Sequence, residues 1–321
     1  MVKNEKQKIH SDSKLKSLLL PFLPLAATYA LWFTVSSLAL VPGQLFPDLK
    51  FLLPVSVPVS FLLFIMLASF LTQAFIIQEK YFFKNSSAMR CLLLLFTIGL
   101  GAGLFIVGRQ AGTSVNFVFI LATANLIVFA NVIGTWIVTP LSRPAELVSV
   151  CVVMSLADIL SLLAGPTKNI KGIIEKFYES GMEGAAPLAD ILVLKFAVPG
   201  LKNPVPVFGV ADWIIVAFLA ASVARFEMDD NLVGISLSEM IKKRRLSFYV
   251  PVSAFGLMVA VLFAQVLDIF LPALPVIAVV FLIYLLTKYP QARILEKSDW
   301  RIILLFSTAM IGAGALIYSA F

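Results

Sequence analysis

Two carboxylates stand inside long apolar runs of this chain. Asp158 belongs to Leu147–Ala164 and Asp212 to Val205–Phe226. A charged side chain at the centre of a bilayer costs roughly 2.5–3.5 kcal/mol on insertion scales, so an acid in such a run points to function. Asp158 lies six residues before Ala164, and Asp212 lies six after Pro206. Consecutive spans run antiparallel. At about 1.5 Å per residue, both acids then sit roughly 9 Å below the same membrane face. The spacing therefore predicts that the two spans are neighbours and that their carboxylates face one pocket.

Two acids at one depth permit two chemistries, and position alone leaves both open. In the first they form an aspartic-protease dyad. Like charges about 3 Å apart cannot both ionise, so the pair shares a proton. The ionised member activates water against a peptide carbonyl, while the protonated member donates to the developing oxyanion. In the second they bind a cation or relay protons in a secondary transporter. Two unrelated polar contacts are the plainest alternative. Leu188-Ala189-Asp190-Ile191-Leu192 repeats Leu156-Ala157-Asp158-Ile159-Leu160, which makes Asp190 a rival second acid.

The elements that must position these acids follow from composition. The chain has 321 residues, 60% hydrophobic and only 13% charged, with a mean hydropathy of +0.98. Several apolar runs exceed the 18 residues that mark a membrane span. The expected fold is an all-α polytopic membrane protein with about nine transmembrane helices, near 17–41, 51–78, 90–108, 115–139, 144–164, 205–226, 247–270, 272–288 and 300–320. Residues 1–16 form a polar tail, unlike a cleaved signal peptide. Residues 17–139 form an N-terminal helical region, and 300–320 an additional C-terminal helix. The net charge of +7 does not argue for nucleic acid, because the basic residues cluster in loops, where they set topology. With the N-terminus inside, 18 of the 25 Lys and Arg residues fall on inner segments. The expected location is the plasma membrane, with the C-terminus outside and the loop 165–204 between the two Asp spans on the outer face. His10, the sole histidine, lies in the tail, and Cys91 and Cys151 lie in separate spans. Neither a His-dependent nucleophile nor a metal or cofactor is expected in the membrane.

The loop 165–204 carries its own signals. Asn169–Tyr178 alternates as a short amphipathic helix. Ile191–Val198 is too short to span, and its β-branched residues and flanking turns suit a strand. Pro204–Phe208 could pair with it across Pro199–Asn203, limited by the missing N–H groups of Pro204 and Pro206, and an interfacial loop with no pairing is the equal alternative. Within the spans, Gln73, Asn116, Asn125, Asn131 and Gln265 are expected to join helices by hydrogen bonds, and Gly99, Gly101, Gly103, Gly312 and Gly314 to allow close packing. Arg109 and Arg225, at span ends, are expected to snorkel.

A third stretch tilts the chemistry. Leu271-Pro272-Ala273-Leu274-Pro275 opens the eighth span on the same outer side. Its prolines leave backbone groups without helical partners, so an unwound segment is expected beside the acids, able to dock an extended peptide. Ala157-Asp158, Gly209-Val210-Ala211-Asp212 and Pro272-Ala273-Leu274 follow one another in that order. Here the sequence resembles the presenilin and signal peptide peptidase family of GxGD-type intramembrane aspartyl proteases, as a divergent, prokaryotic-looking branch. That family carries Tyr-Asp, Gly-x-Gly-Asp and Pro-Ala-Leu on successive spans. Asp158-Ile159-Leu160 followed by Gly165-Pro166-Thr167-Lys168 is also similar to the family's stretch after its first Asp.

The resemblance covers roughly 144–288. It implies a presenilin-like catalytic region with Asp158 and Asp212 as the dyad, and Gly209, Pro272, Ala273 and Leu274 at the substrate. Gly209 would lend backbone freedom to Asp212. The implied substrates are transmembrane segments of other proteins in the lipid bilayer. The chain departs from the pattern at Ala157, where the family has Tyr, and at Ala211, where it has the second Gly. It also has four spans before the first Asp span instead of five, and one extra after the Pro-Ala-Leu span. Altered specificity or reduced activity, and crowding by Ala211, are the corresponding expectations.

Overall fold

The computed structural model describes residues 23–46, 51, 53–83, 86–111, 116–164, 172–174, 176–178, 180, 187–267 and 271–320. The N-terminal tail and most of 165–186 lie outside these residues; 172–174 and 176–178, within the expected amphipathic helix, are helical. The chain is mostly helical. Its helices are α1 (Leu23–Leu45), α2 (Leu53–Gln78), α3 (Ser87–Ala111), α4 (Asn116–Ile137), α5 (Glu146–Ala164), α6 (Val210–Arg225), α7 (Leu237–Lys243), α8 (Val252–Leu267), α9 (Ala273–Lys288) and α10 (Lys297–Ala320).

A helix stands at each of the nine expected spans, but nine crossing helices are not supported. Among the described residues four helices are long and apolar enough to cross a membrane: Leu25–Leu45, Leu53–Tyr81, Ser87–Arg109 and Asn116–Ile137. Length is the reason for three of the others. Helices α6, α8 and α9 have 16 residues each, about 24 Å, against a hydrocarbon core of about 30 Å. The apolar surface fits a bilayer. On α3, Leu92, Leu95, Phe96, Ile98 and Ile106 are all exposed, a continuous apolar face that water would penalise.

The sixth expected span does not begin as a helix. Val205–Gly209 is a strand, β2, antiparallel to β1 (Val193–Phe196). Val193 faces Gly209, Leu194 faces Phe208, Lys195 faces Pro206 and Phe196 faces Val205, with an irregularity between Leu194 and Lys195. The Val205-Pro-Val207 sequence favours extended backbone, and the disturbed register coincides with Pro206, which cannot donate to the ladder. The hairpin suggested by the sequence is thus present, and it shortens the helix behind it.

Helix α4 is the central post, packed against α1, α2, α3, α6 and β1. Polar side chains tie it in place. The Tyr29 hydroxyl donates to Asn125 Oδ1 at 2.8 Å, Asn125 Nδ2 donates to the Thr97 carbonyl at 2.8 Å, and Thr72 donates to Asn131 at 2.8 Å. Gln73 contacts Met240, and Asn116 Nδ2 reaches the Lys202 carbonyl at 2.7 Å. Gln265 is exposed instead. Arg109 is exposed at the end of α3, and Arg225 donates to the Leu141 carbonyl at 3.0 Å.

The glycines that pack helices are not those the sequence pattern suggested. Gly99, Gly103 and Gly312 face open space, and a Cβ on Gly101 would meet only Asn125 at 3.1 Å. Gly134 and Gly256 carry the close crossings. A Cβ at Gly134 would lie 2.8 Å from the Phe218 amide of α6, and one at Gly256 would lie 2.9 Å from Ile277 Cα of α9.

Candidate active site

Asp212 is placed by an aromatic stack and a helix start. Phe196 of β1 stacks on Phe64 at 5.1 Å and meets Phe208 of β2 edge-on at 5.5 Å; Phe208 stacks on Trp213 at 6.1 Å. Trp32 closes the cluster against Phe64 and Phe196. Trp213 is fully buried, so the first turn of α6 is anchored and its neighbour Asp212 is held half-buried at the surface of that anchor. Asp212 occupies the third position of α6, where its Oδ2 accepts the Gly209 N–H at 3.1 Å. An acid there satisfies an orphan N–H and lies at the positive end of the helix. Asp212 is therefore in the first turn and not several residues inside a helix, because β2 takes the preceding residues.

Asp158, on α5, is half-buried and accepts the backbone N–H of Leu274 at 3.2 Å. Pro272 is the extended cap of α9 (φ −62°, ψ 125°), and the helix begins at Ala273. Leu274 thus presents one of the first-turn N–H groups that have no intrahelical acceptor. The expected unwound segment therefore reaches no further than Pro272, because helix α9 takes up Ala273 and Leu274; the first turn of α9 points at Asp158.

The two acid-bearing helices do not lie along one another, contrary to the expectation from depth. Helix α5 packs between α9 and α10, while α6 packs on α4 and touches α8 and α9. The 16-residue α9 packs against both, and Asp158 meets its N-terminal end. The two acids are near enough for the charge of Asp158 to act on Asp212. Arg143 pairs with Asp299 at 3.2 Å and also with Glu296, and so ties the base of α5 to α10.

Asp190 lies elsewhere. Its carboxylate pairs with Lys195 Nζ at 2.5 Å and accepts the Tyr178 hydroxyl at 2.8 Å, with Asp190 4% and Lys195 7% exposed. This ion pair lines a cavity between α3 and α4. Gly209 has φ −76°, a value any residue adopts, and a Cβ there would meet only Asp212 at 3.6 Å. This conformation does not itself require glycine. Ala211 is exposed and does not crowd the backbone. Sequence reasoning missed the aromatic anchor and Gly134; the spacing of Phe61, Phe64, Phe196, Phe208 and Trp213 gives no local sign that they converge.

Compared with protein-family models, with curated proteins and with solved structures, the chain matches none.

Proposed function

We propose that this chain is an intramembrane aspartyl endopeptidase of the presenilin and signal peptide peptidase type. Its substrates would be transmembrane segments of other proteins. The observation that carries this reading is the 3.2 Å hydrogen bond from Leu274 to Asp158. It joins Pro272-Ala273-Leu274 to the first acid, although 116 residues separate them. The second acid lies within electrostatic reach. A transporter site needs acids and a cavity, but nothing in it calls for a Pro-Ala-Leu helix start at one of them.

In this reading one acid of the pair is ionised and takes a proton from water, which attacks the scissile carbonyl. The other is protonated and donates to the oxygen that becomes negative. Leu274 N–H steadies Asp158 by a charge-assisted hydrogen bond. The hairpin leads straight into Asp212, so a substrate unwound to a strand would add to its edge and present its carbonyl to the acids. The full proposal includes nine helices within the membrane, the shorter ones bordering the water-accessible site. It also includes the plasma membrane as location, the N-terminus inside and the C-terminus outside.

The test is direct. Purified protein in lipid is incubated with a peptide spanning one transmembrane segment, and products are identified by mass spectrometry. The expected result is cleavage within the apolar stretch, lost in Asp158→Asn and in Asp212→Asn. No cleavage, together with ion-dependent solute uptake that the same variants uncouple, would overturn the reading in favour of a transporter.

A further inference from the structure

The cavity beside Asp190 belongs to neither acid of the proposed dyad. It lies between α3 and α4 as an open groove, with about 50 Å³ of room for water-sized groups inside it and about 530 Å³ when its open mouth is counted. Helix α3 rests mainly on α4, and the rest of its surface is apolar and exposed. Gly101 and Gly108 lie two turns apart and line the cavity together with Leu104. The two glycines let α4 side chains come close, a Cβ on Gly101 meeting Asn125 at 3.1 Å and one on Gly108 meeting Val118 at 3.4 Å, and the channel between the helices is walled on the α4 side by Val118, Ala122 and Leu126.

One end of this channel is polar. Lys195 and Asp190 neutralise one another there, buried and braced by Tyr178, and Lys195 also sits 4.3 Å above the Phe119 ring. Arg109 is different: it lines the same cavity, is exposed, and forms no ion pair among the described residues. It stands at the last turn of α3, where a span meets the headgroup layer. The lining thus holds two cations against one anion. A planar guanidinium is well matched to a phosphate, which it can hold through two parallel hydrogen bonds. The channel below it continues the lipid-facing surface of α3.

We propose that this groove holds one anionic membrane phospholipid, its phosphate on Arg109 and one acyl chain lying along Gly101–Gly108 against Ala122. The occupant is a lipid and not a free phosphate ester, because the apolar channel is most of the site and opens on the bilayer. This holds whether or not the chain is a protease.

Native mass spectrometry of detergent-purified full-length protein tests it, with phosphatidylglycerol, phosphatidylcholine and glycerol 1-phosphate as probes. One phosphatidylglycerol per chain should bind saturably, about tenfold tighter than phosphatidylcholine, and glycerol 1-phosphate should not bind. Arg109→Gln should bring the two lipids level. Ala122→Phe should fill the channel and weaken both. The proposal is overturned if no lipid saturates, if glycerol 1-phosphate binds as well as the lipid, or if Arg109→Gln leaves the preference unchanged. Should Ala122→Phe fail to fold, Arg109→Gln decides, since Arg109 is exposed.

Discussion

Acids lie against both ends of helices α6 and α9, and the two ends treat them differently. At the N-terminal end, Asp158 and Asp212 each accept one backbone N–H, and among the described residues neither has a basic partner. At the other end, Asp230 is fully buried and Asp229, half-buried, has a basic partner. The Tyr249 hydroxyl donates to Asp230 at 3.0 Å, Lys288 pairs with Asp229 at 3.2 Å, and the Tyr284 and Tyr289 hydroxyls donate to the Asp229 carbonyl at 2.7 and 3.0 Å. Asp190 resembles this second group, locked by Lys195 and Tyr178. Acids surrounded by donors hold loops and helix ends together. Acids left half-buried with a single N–H keep lone pairs for another molecule. On the proposed reading, this difference sets Asp158 and Asp212 apart from their structural neighbours.

The largest effect that would sharpen the contrast is on stability at Asp190. Lys195→Met leaves a buried carboxylate without its cation and should cost about 3–5 kcal/mol, read by thermal unfolding. Replacing both partners, Asp190→Leu with Lys195→Met, should recover much of that loss. A single variant as stable as the natural chain would mean that the pair is not a structural lock.

Asp230 gives a pH effect on the order of a few kcal/mol. Burial pushes its carboxyl from an ordinary 3.8 up to about 7, against the pull of the Tyr249 hydrogen bond. Between those values the folded protein holds a proton that the unfolded chain has released. Stability should therefore fall as pH rises from about 4 to about 7, and then level off. Asp230→Asn should flatten that slope in unfolding scans; an unchanged slope would assign it to other groups.

The smallest effect lies at the support of the proposed dyad. Leu274→Pro removes the N–H that reaches Asp158 at a first-turn position, where proline is tolerated. A hydrogen bond to a charged group contributes about 1.5–3 kcal/mol. The cleavage rate should accordingly fall about 10- to 100-fold, with unfolding little changed. An unaltered rate would remove Leu274 from the mechanism.

Much of this arrangement was legible in the residues. Periodicity and apolar length located the helices, and β-branched runs around Pro199-Gly200 located the hairpin. Gln73, Asn125 and Asn131 read correctly as helix ties, whereas Asn116 holds the hairpin loop at Lys202. What failed was anything set by tertiary contact. Val205–Phe226 looks like one apolar span, yet its first five residues form the strand that pairs with β1, because a strand partner decides between helix and strand for a short apolar run. Depth counting placed α5 and α6 side by side, but counting along a sequence cannot show that α9 packs against both. Gly134 matters through Phe218, 84 positions away, whereas Gly99 and Gly103 of α3 face open space.

The central claim is that Asp158 and Asp212 are chemical and that Asp190 and Asp230 are structural. Changing each of the four to Asn, and measuring peptide cleavage per folded molecule beside thermal unfolding, tests it most directly. The account predicts that Asp158→Asn and Asp212→Asn abolish cleavage while folding survives, since removing one of two repelling acids relieves a desolvation cost. It predicts that Asp190→Asn and Asp230→Asn change stability and keep cleavage. Full activity in either of the first two, or its complete loss in a folded Asp230→Asn protein, would contradict it.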